Sequence, residues 1–125
     1  MREAAAAGFQ NAVLLDPDGN VAEFATANLF FVTADGAVVT PAANGTFLAG
    51  ITRARVIKLL AAAGIEVEQR TVRPQELDAA REIFSTGNYG KVMPCTRYGA
   101  RALPIGPIAT LARERYMVFA AEFRV

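Results

Sequence analysis

The chain has 125 residues, 53% of them apolar and 20% charged, with a net charge of +1. That describes one globular domain with its own core. It excludes a disordered tail, a basic nucleic-acid surface and a membrane helix, which needs ~18 consecutive apolar residues. Histidine is absent and Cys95 is the only cysteine, so imidazole chemistry, most zinc sites and an internal disulfide are excluded as well.

Residues 1–7 have a helical composition without an apolar face. Ala12-Val13-Leu14-Leu15 reads as a buried strand closed by the turn Asp16-Pro17-Asp18-Gly19-Asn20. Strands follow from Val21 to Ala25 and from Asn28 to Thr33, and Ala34-Asp35-Gly36 turns the chain into Ala37-Val38-Val39-Thr40. Up to residue 40 the pattern predicts an antiparallel meander. After a loop from Pro41 to Ala49 the period becomes helical. Ile51, Val56, Leu59, Leu60 and Ala63 form the apolar side, Arg53, Arg55 and Lys58 the polar side, and Gly64 the stop. Ile65 to Val72 alternates as a strand, and Pro74 opens a short helix through Ala80. Glu82-Ile83-Phe84 reads as strand, Ser85-Thr86-Gly87-Asn88 as a turn, Val92-Met93 as a short strand blocked by Pro94, and Pro107 to Phe123 as a closing helix. Strands, a helix and more strands indicate a mixed α/β domain.

Three places stand out chemically. Phe47-Leu48-Ala49-Gly50-Ile51-Thr52-Arg53 opens the first long helix, where unpaired N–H groups and a partial positive charge suit a phosphate. A plain helix cap with two solvated arginines accounts for the same residues. Ser85-Thr86-Gly87-Asn88-Tyr89-Gly90 gathers hydroxyls, an amide and backbone N–H groups suited to an anion, and is equally a connecting turn. Glu23 interrupts the apolar run Val21-Ala22-Glu23-Phe24-Ala25: it is either a buried carboxylate needing a cationic or donor partner, or the solvent side of an edge strand. Cys95 reads as a small buried hydrophobe, Lys58 as a solvated charge, and Tyr116, Phe119 and Phe123 as core or interface aromatics.

Taken in order, Gly19-Asn20-Val21-Ala22-Glu23, Ala27-Asn28-Leu29-Phe30, Thr40-Pro41 and Phe47-Leu48-Ala49-Gly50-Ile51-Thr52-Arg53 resemble the fold-type IV (class IV) pyridoxal-phosphate-dependent aminotransferases, most of all the branched-chain amino acid aminotransferases. The stretch from Phe84 to Pro94 has the length and place of that family's second phosphate loop. The resemblance implies a mixed, mostly antiparallel sheet curled into a pseudo-barrel with outer helices. It implies that Glu23 pairs with the pyridine nitrogen, that Gly50, Ile51 and Thr52 hold the phosphate of pyridoxal 5'-phosphate, and that Gly87 and Asn88 complete the cup. Thr26 and Leu48 would line the ring, and Tyr89 would lie near the substrate carboxylate. The position of Asn88 is commonly threonine in the family, so an amide, or the hydroxyl of Thr86, stands in for that contact here.

The family's Schiff-base lysine has no counterpart, since the only lysines are Lys58 and Lys91 and neither matches its position. The expectation is therefore that residues 1–125 are the C-terminal cofactor-binding domain alone, inactive in isolation, with the N-terminal domain and the lysine absent. The implied reaction of the whole enzyme exchanges an amino group between a branched-chain amino acid and 2-oxoglutarate. Two alternatives stand beside it: a non-catalytic remnant that binds a phosphate-bearing ligand or a partner, and an aminodeoxychorismate lyase within the family. A homodimer is expected, because an absent partner domain leaves apolar surface uncovered. The lone cysteine and the lack of a secretory signal in Met1-Arg2-Glu3 and the four alanines after it point to the cytoplasm.

Overall fold

The computed structural model describes residues 13–15, 17–24, 28–42, 50–87, 91–99 and 101–122. Its centre is a five-stranded sheet in the order β5-β4-β3-β6-β7. The strands are β3 (Asn28–Val32), β4 (Val38–Pro41), β5 (Val67–Arg70), β6 (Glu82–Gly87) and β7 (Lys91–Cys95). Neighbours run antiparallel except β4 and β5, which are parallel because helix α1 (Ile51–Ala62) carries the chain across between them. The sheet is mixed and mostly antiparallel, as expected, but it is open among the described residues, with β5 and β7 at its edges.

The expected meander is broken after its first hairpin. Strands β1 (Val13–Leu15) and β2 (Val21–Phe24) pair only with each other, while β3 leads the main sheet. Gly19 and Gly36 close the two hairpin turns at φ +82° and +95°, values that side-chain-bearing residues rarely adopt.

Period-2 alternation divides β3 between two cores. Leu29 and Phe31 join Val21, Val72, Leu77 and Ile83 on one face, covered by the short helix α2 (Pro74–Asp78). Phe30 and Val32 join Phe84, Val92, Val56 and Leu60 on the other, beneath α1 and the closing helix α3 (Pro107–Glu122). Phe30 and Phe84 are register partners whose rings stack at 5.1 Å and 9°.

Helix α1 stops where the sequence places the stop. Gly64 takes φ +87°, its N–H bonds Ala61 O at 3.0 Å and the Ile65 N–H bonds Leu60 O at 2.9 Å, a Schellman closure. Its faces differ from expectation: Thr52, Arg53, Val56 and Leu60 are buried, whereas Ile51 is 89% exposed. Positions 53, 56 and 60 share one side of a 3.6-residue helix, so Arg53 is carried inward with the leucine and valine. Arg55 lies over the ring of Phe119 at 4.2 Å and ties α1 to α3, while Lys58 is exposed as expected.

Three further expectations need correction. Ser85, Thr86 and Gly87 are strand, not turn, because β6 stays paired on both sides, to β3 through Asn28–Thr86 and to β7 through Gly87–Lys91. Pro94 does not block β7, since an edge strand needs no N–H on its open side. A small hairpin, β8 (Arg97–Tyr98) with β9 (Arg101–Ala102), follows it and is not visible in the pattern. Cys95 is only half-buried; its thiol donates to Arg97 O at 3.0 Å, and burial raises its pKa.

Candidate functional site

The site is built at the end of the sheet where β3 begins and β4 and β6 finish. Helix α1 starts there after Gly50, with no acidic residue in its first turn and no side-chain cap. The Gly50 N–H instead donates to Asn28 Oδ1 at 3.0 Å, across 22 residues of sequence. At φ −71° and ψ 158°, Gly50 has a backbone that any residue adopts. Space is what demands glycine here: a Cβ would stand 2.8 Å from Asn28 Oδ1. The family resemblance assigns this glycine to the phosphate; the structure adds that it admits the sheet's own amide oxygen.

One buried side chain fixes the helix above the strand ends, and a second joins β4 to β3. Arg53, 5% exposed, donates through Nη2 to Pro41 O at 3.0 Å and to Gln69 Oε1 at 3.2 Å, and its burial lowers the guanidinium pKa. Thr40 donates to Leu29 O at 2.7 Å. On β6, across β3 from Thr40, Thr86 is fully buried and, among the described residues, its Oγ1 has no hydrogen-bond partner. Thr86 is the register partner of Asn28, so the two occupy one face of the sheet beneath the start of α1. A buried hydroxyl without a partner costs about 1–3 kcal/mol, which a ligand atom can recover.

Of the residues selected from sequence, Gly50, Ile51 and Thr52 are at the α1 terminus and Gly87 ends β6 next to Thr86. The structure brings these four to the same end of the sheet through the Asn28–Gly50 and Asn28–Thr86 pairings. Glu23 lies in β2 opposite Leu14, placed only as a register position. Thr26, Leu48, Asn88 and Tyr89 lie outside the described residues. Sequence reasoning missed Asn28 as a site residue and Arg53 as a buried one. The signal for Asn28 was available: an amide opening the apolar strand Asn28-Leu29-Phe30-Phe31-Val32 is costly unless it has a partner.

At the opposite end of the sheet a hollow of about 430 Å³ opens among Arg81, Glu82, Pro104, Gly106 and Pro107. Its buried carboxylate is already used: Glu82 accepts from the N–H groups of Ile108 at 3.1 Å and Ala109 at 2.9 Å. Among the described residues no cluster of three or more His, Cys, Asp or Glu side chains is arranged for a metal, and no helix is long and apolar enough to cross a membrane.

A family model described as amino-transferase class IV matches residues 1–98. The chain is 43% identical over 89 residues to branched-chain-amino-acid aminotransferase 1, mitochondrial, of Arabidopsis thaliana, covering 70% of this chain and 23% of that protein. It is 38% identical over 118 residues to a probable branched-chain-amino-acid aminotransferase of Aquifex aeolicus, covering 91% of this chain and 38% of the relative. Among solved structures, an aminotransferase from Brucella abortus bound to the cofactor PLP superposes with a TM-score of 0.93 at 50% identity, over 96% of this chain and 42% of that one. The chain thus spans about two fifths or less of these proteins. With the fold, the order of its motifs and the family match in agreement, this chain belongs to the class IV aminotransferases.

Proposed function

We propose that this chain binds pyridoxal 5'-phosphate by its phosphate at the N-terminus of α1, as the cofactor-binding part of a branched-chain-type aminotransferase. One observation carries the reading. The first turn of α1 holds no acid and no side-chain cap, and a fully buried hydroxyl without a partner, that of Thr86, lies beside it. Phosphate oxygens accept from both kinds of group, so the donor set fits the ligand. Gly50, Ile51 and Thr52 hold the phosphate in this reading, with Gly87 and Asn88 closing the cup. Glu23 keeps the ring nitrogen protonated, Thr26 and Leu48 flank the ring, and Tyr89 meets the substrate carboxylate. When bound, the cofactor supplies an electron sink for negative charge at the substrate α-carbon.

Amino transfer between a branched-chain amino acid and 2-oxoglutarate is the activity of the whole enzyme in this proposal. The branched-chain relatives above favour that substrate class over aminodeoxychorismate lysis. Residues 1–125 act as its C-terminal domain. Lys58 is exposed on α1, and neither it nor Lys91 matches the family's reactive lysine, so this chain alone binds the cofactor reversibly and does not turn over. Exposed Ile51, Met93, Ile105, Met117 and Val118 support self-association as a homodimer; light scattering that finds only monomer at high concentration overturns that part.

Titration with pyridoxal phosphate, followed by its visible absorbance with and without borohydride, tests the central claim. Saturable binding that borohydride does not make permanent is expected. A reduced adduct mapped to Lys58 or Lys91 overturns the non-catalytic part, and no binding overturns the whole reading.

A further inference from the structure

The sheet grips α1 at the place where the proposed ligand binds, and it does so with a neutral atom. Asn28 is 6% exposed, and its Oδ1 takes the Gly50 N–H at 3.0 Å. Gly50 is the residue whose missing Cβ leaves room for that oxygen, so Asn28 and Gly50 are a matched pair. The other long helix on the same face is gripped at its N-terminus by a carboxylate, Glu82, through two N–H groups. An aspartate at position 28 would offer the same acceptor in nearly the same shape, in exchange for the amide's N–H donors. It would also place a negative charge against the helix end, neutralising its field and repelling an incoming anion. The chemically simpler anchor is thus incompatible with an anionic ligand, while asparagine is compatible. The second, independent sign of a ligand is Thr86, paired in register with Asn28, fully buried, and lacking a partner for Oγ1.

We propose that Asn28 is a positioning residue: it anchors the N-terminus of α1 through a neutral amide oxygen, so that the terminus keeps its positive field and its N–H groups for an outside phosphate. This rests on the phosphate-binding reading above. It adds a selection rule, that position 28 must accept a hydrogen bond without carrying charge.

The test compares the 125-residue chain with Asn28→Asp and Asn28→Ala, by thermal melting and by titration with pyridoxal phosphate, inorganic phosphate and phosphate-free pyridoxal. Asn28→Asp should melt above Asn28→Ala, because it keeps an acceptor for the Gly50 N–H. It should bind pyridoxal phosphate roughly tenfold more weakly and lose stabilisation by inorganic phosphate. Pyridoxal binding should be the same in both proteins. Asn28→Ala should melt lower than either. Equal affinity of Asn28→Asp and wild type for pyridoxal phosphate overturns the inference, and so does a melting temperature for Asn28→Asp at or below that of Asn28→Ala. If no protein binds the phosphate probes but the melting order holds, the proposed function is overturned and the anchor is supported.

Discussion

Two helices lie on the same face of the sheet and point their N-termini at opposite ends of it, and the two termini are finished in opposite ways. At α3 the chain closes its own electrostatics. Pro107 has no N–H to satisfy, and the next two N–H groups are taken by both oxygens of buried Glu82. At α1 the contact from the sheet is a neutral amide, the first turn contains Arg53 instead of an acid, and the N–H groups of Ile51 and Thr52 meet no acceptor among the described residues. Identical helix physics therefore yields a structural joint in one place and, in the proposed function, a phosphate site in the other. The deciding difference is a single charge on the strand below.

The strongest way to break the comparison is to remove the closed end. Glu82→Ala leaves the part-buried Ile108 N–H and the buried Ala109 N–H without their carboxylate and should cost about 3 kcal/mol, lowering the melting temperature by about 10 °C. Gly106→Ala should cost a similar amount by another route, since its Cβ would stand 2.1 Å from Glu82 Cδ. If α3 is a joint and nothing more, the protein that remains folded should bind pyridoxal phosphate with unchanged affinity. A loss of affinity without a loss of stability would make α3 part of the site.

The next effect has the opposite sign. Thr86→Val keeps the shape of the buried side chain and removes a hydroxyl that has no partner. The ligand-free chain should become more stable by about 1 kcal/mol, and binding of pyridoxal phosphate should weaken. Destabilisation without ligand would mean that the hydroxyl is already satisfied. At the same end, Gly50→Ala should break the Asn28 contact and cost about 1 kcal/mol, measured by denaturant unfolding.

How much of this was legible in the sequence depends on whether a signal was local. The Gly64 stop, the Gly36 turn and the Pro74 start are local and appear where the chain announces them. The burial of Arg53 is not local. A guanidinium enters the interior because Pro41 and Gln69, at the ends of two strands, supply the acceptors. Ser85 to Gly87 read as a turn because small polar residues cluster there, yet pairing to strands on both sides holds them extended. The α1 terminus itself was legible through its glycine and threonine. Its anchor was legible only by half: an amide opening an apolar strand signals that Asn28 needs a partner, but nothing local says that the partner is Gly50, 22 residues on.

The third N-terminus, that of α2, sharpens the contrast as a solvent-exposed control. Here the helix caps itself: Glu76 Oε2 accepts from the Arg73 N–H at 2.9 Å, and Glu76 Oε1 pairs with Arg70 Nη2 at 2.8 Å. The Arg70 guanidinium and then the Arg73 N–H hold the Glu76 carboxyl below its usual 4.5. A folded-state pKa below the unfolded one gives stability that is present above the unfolded value and lost as pH falls through the folded one. Glu76→Gln should therefore lower the melting temperature slightly at pH 7, by an amount matching about 0.5 kcal/mol because both side chains are partly exposed, with the difference lost as pH falls through the lowered Glu76 pKa. The same carboxylate chemistry that matters greatly at buried Glu82 should matter little here, so burial, and not the helix terminus alone, sets its weight. A Glu76→Gln effect as large as that of Glu82→Ala would remove that explanation for the difference between α2 and α3.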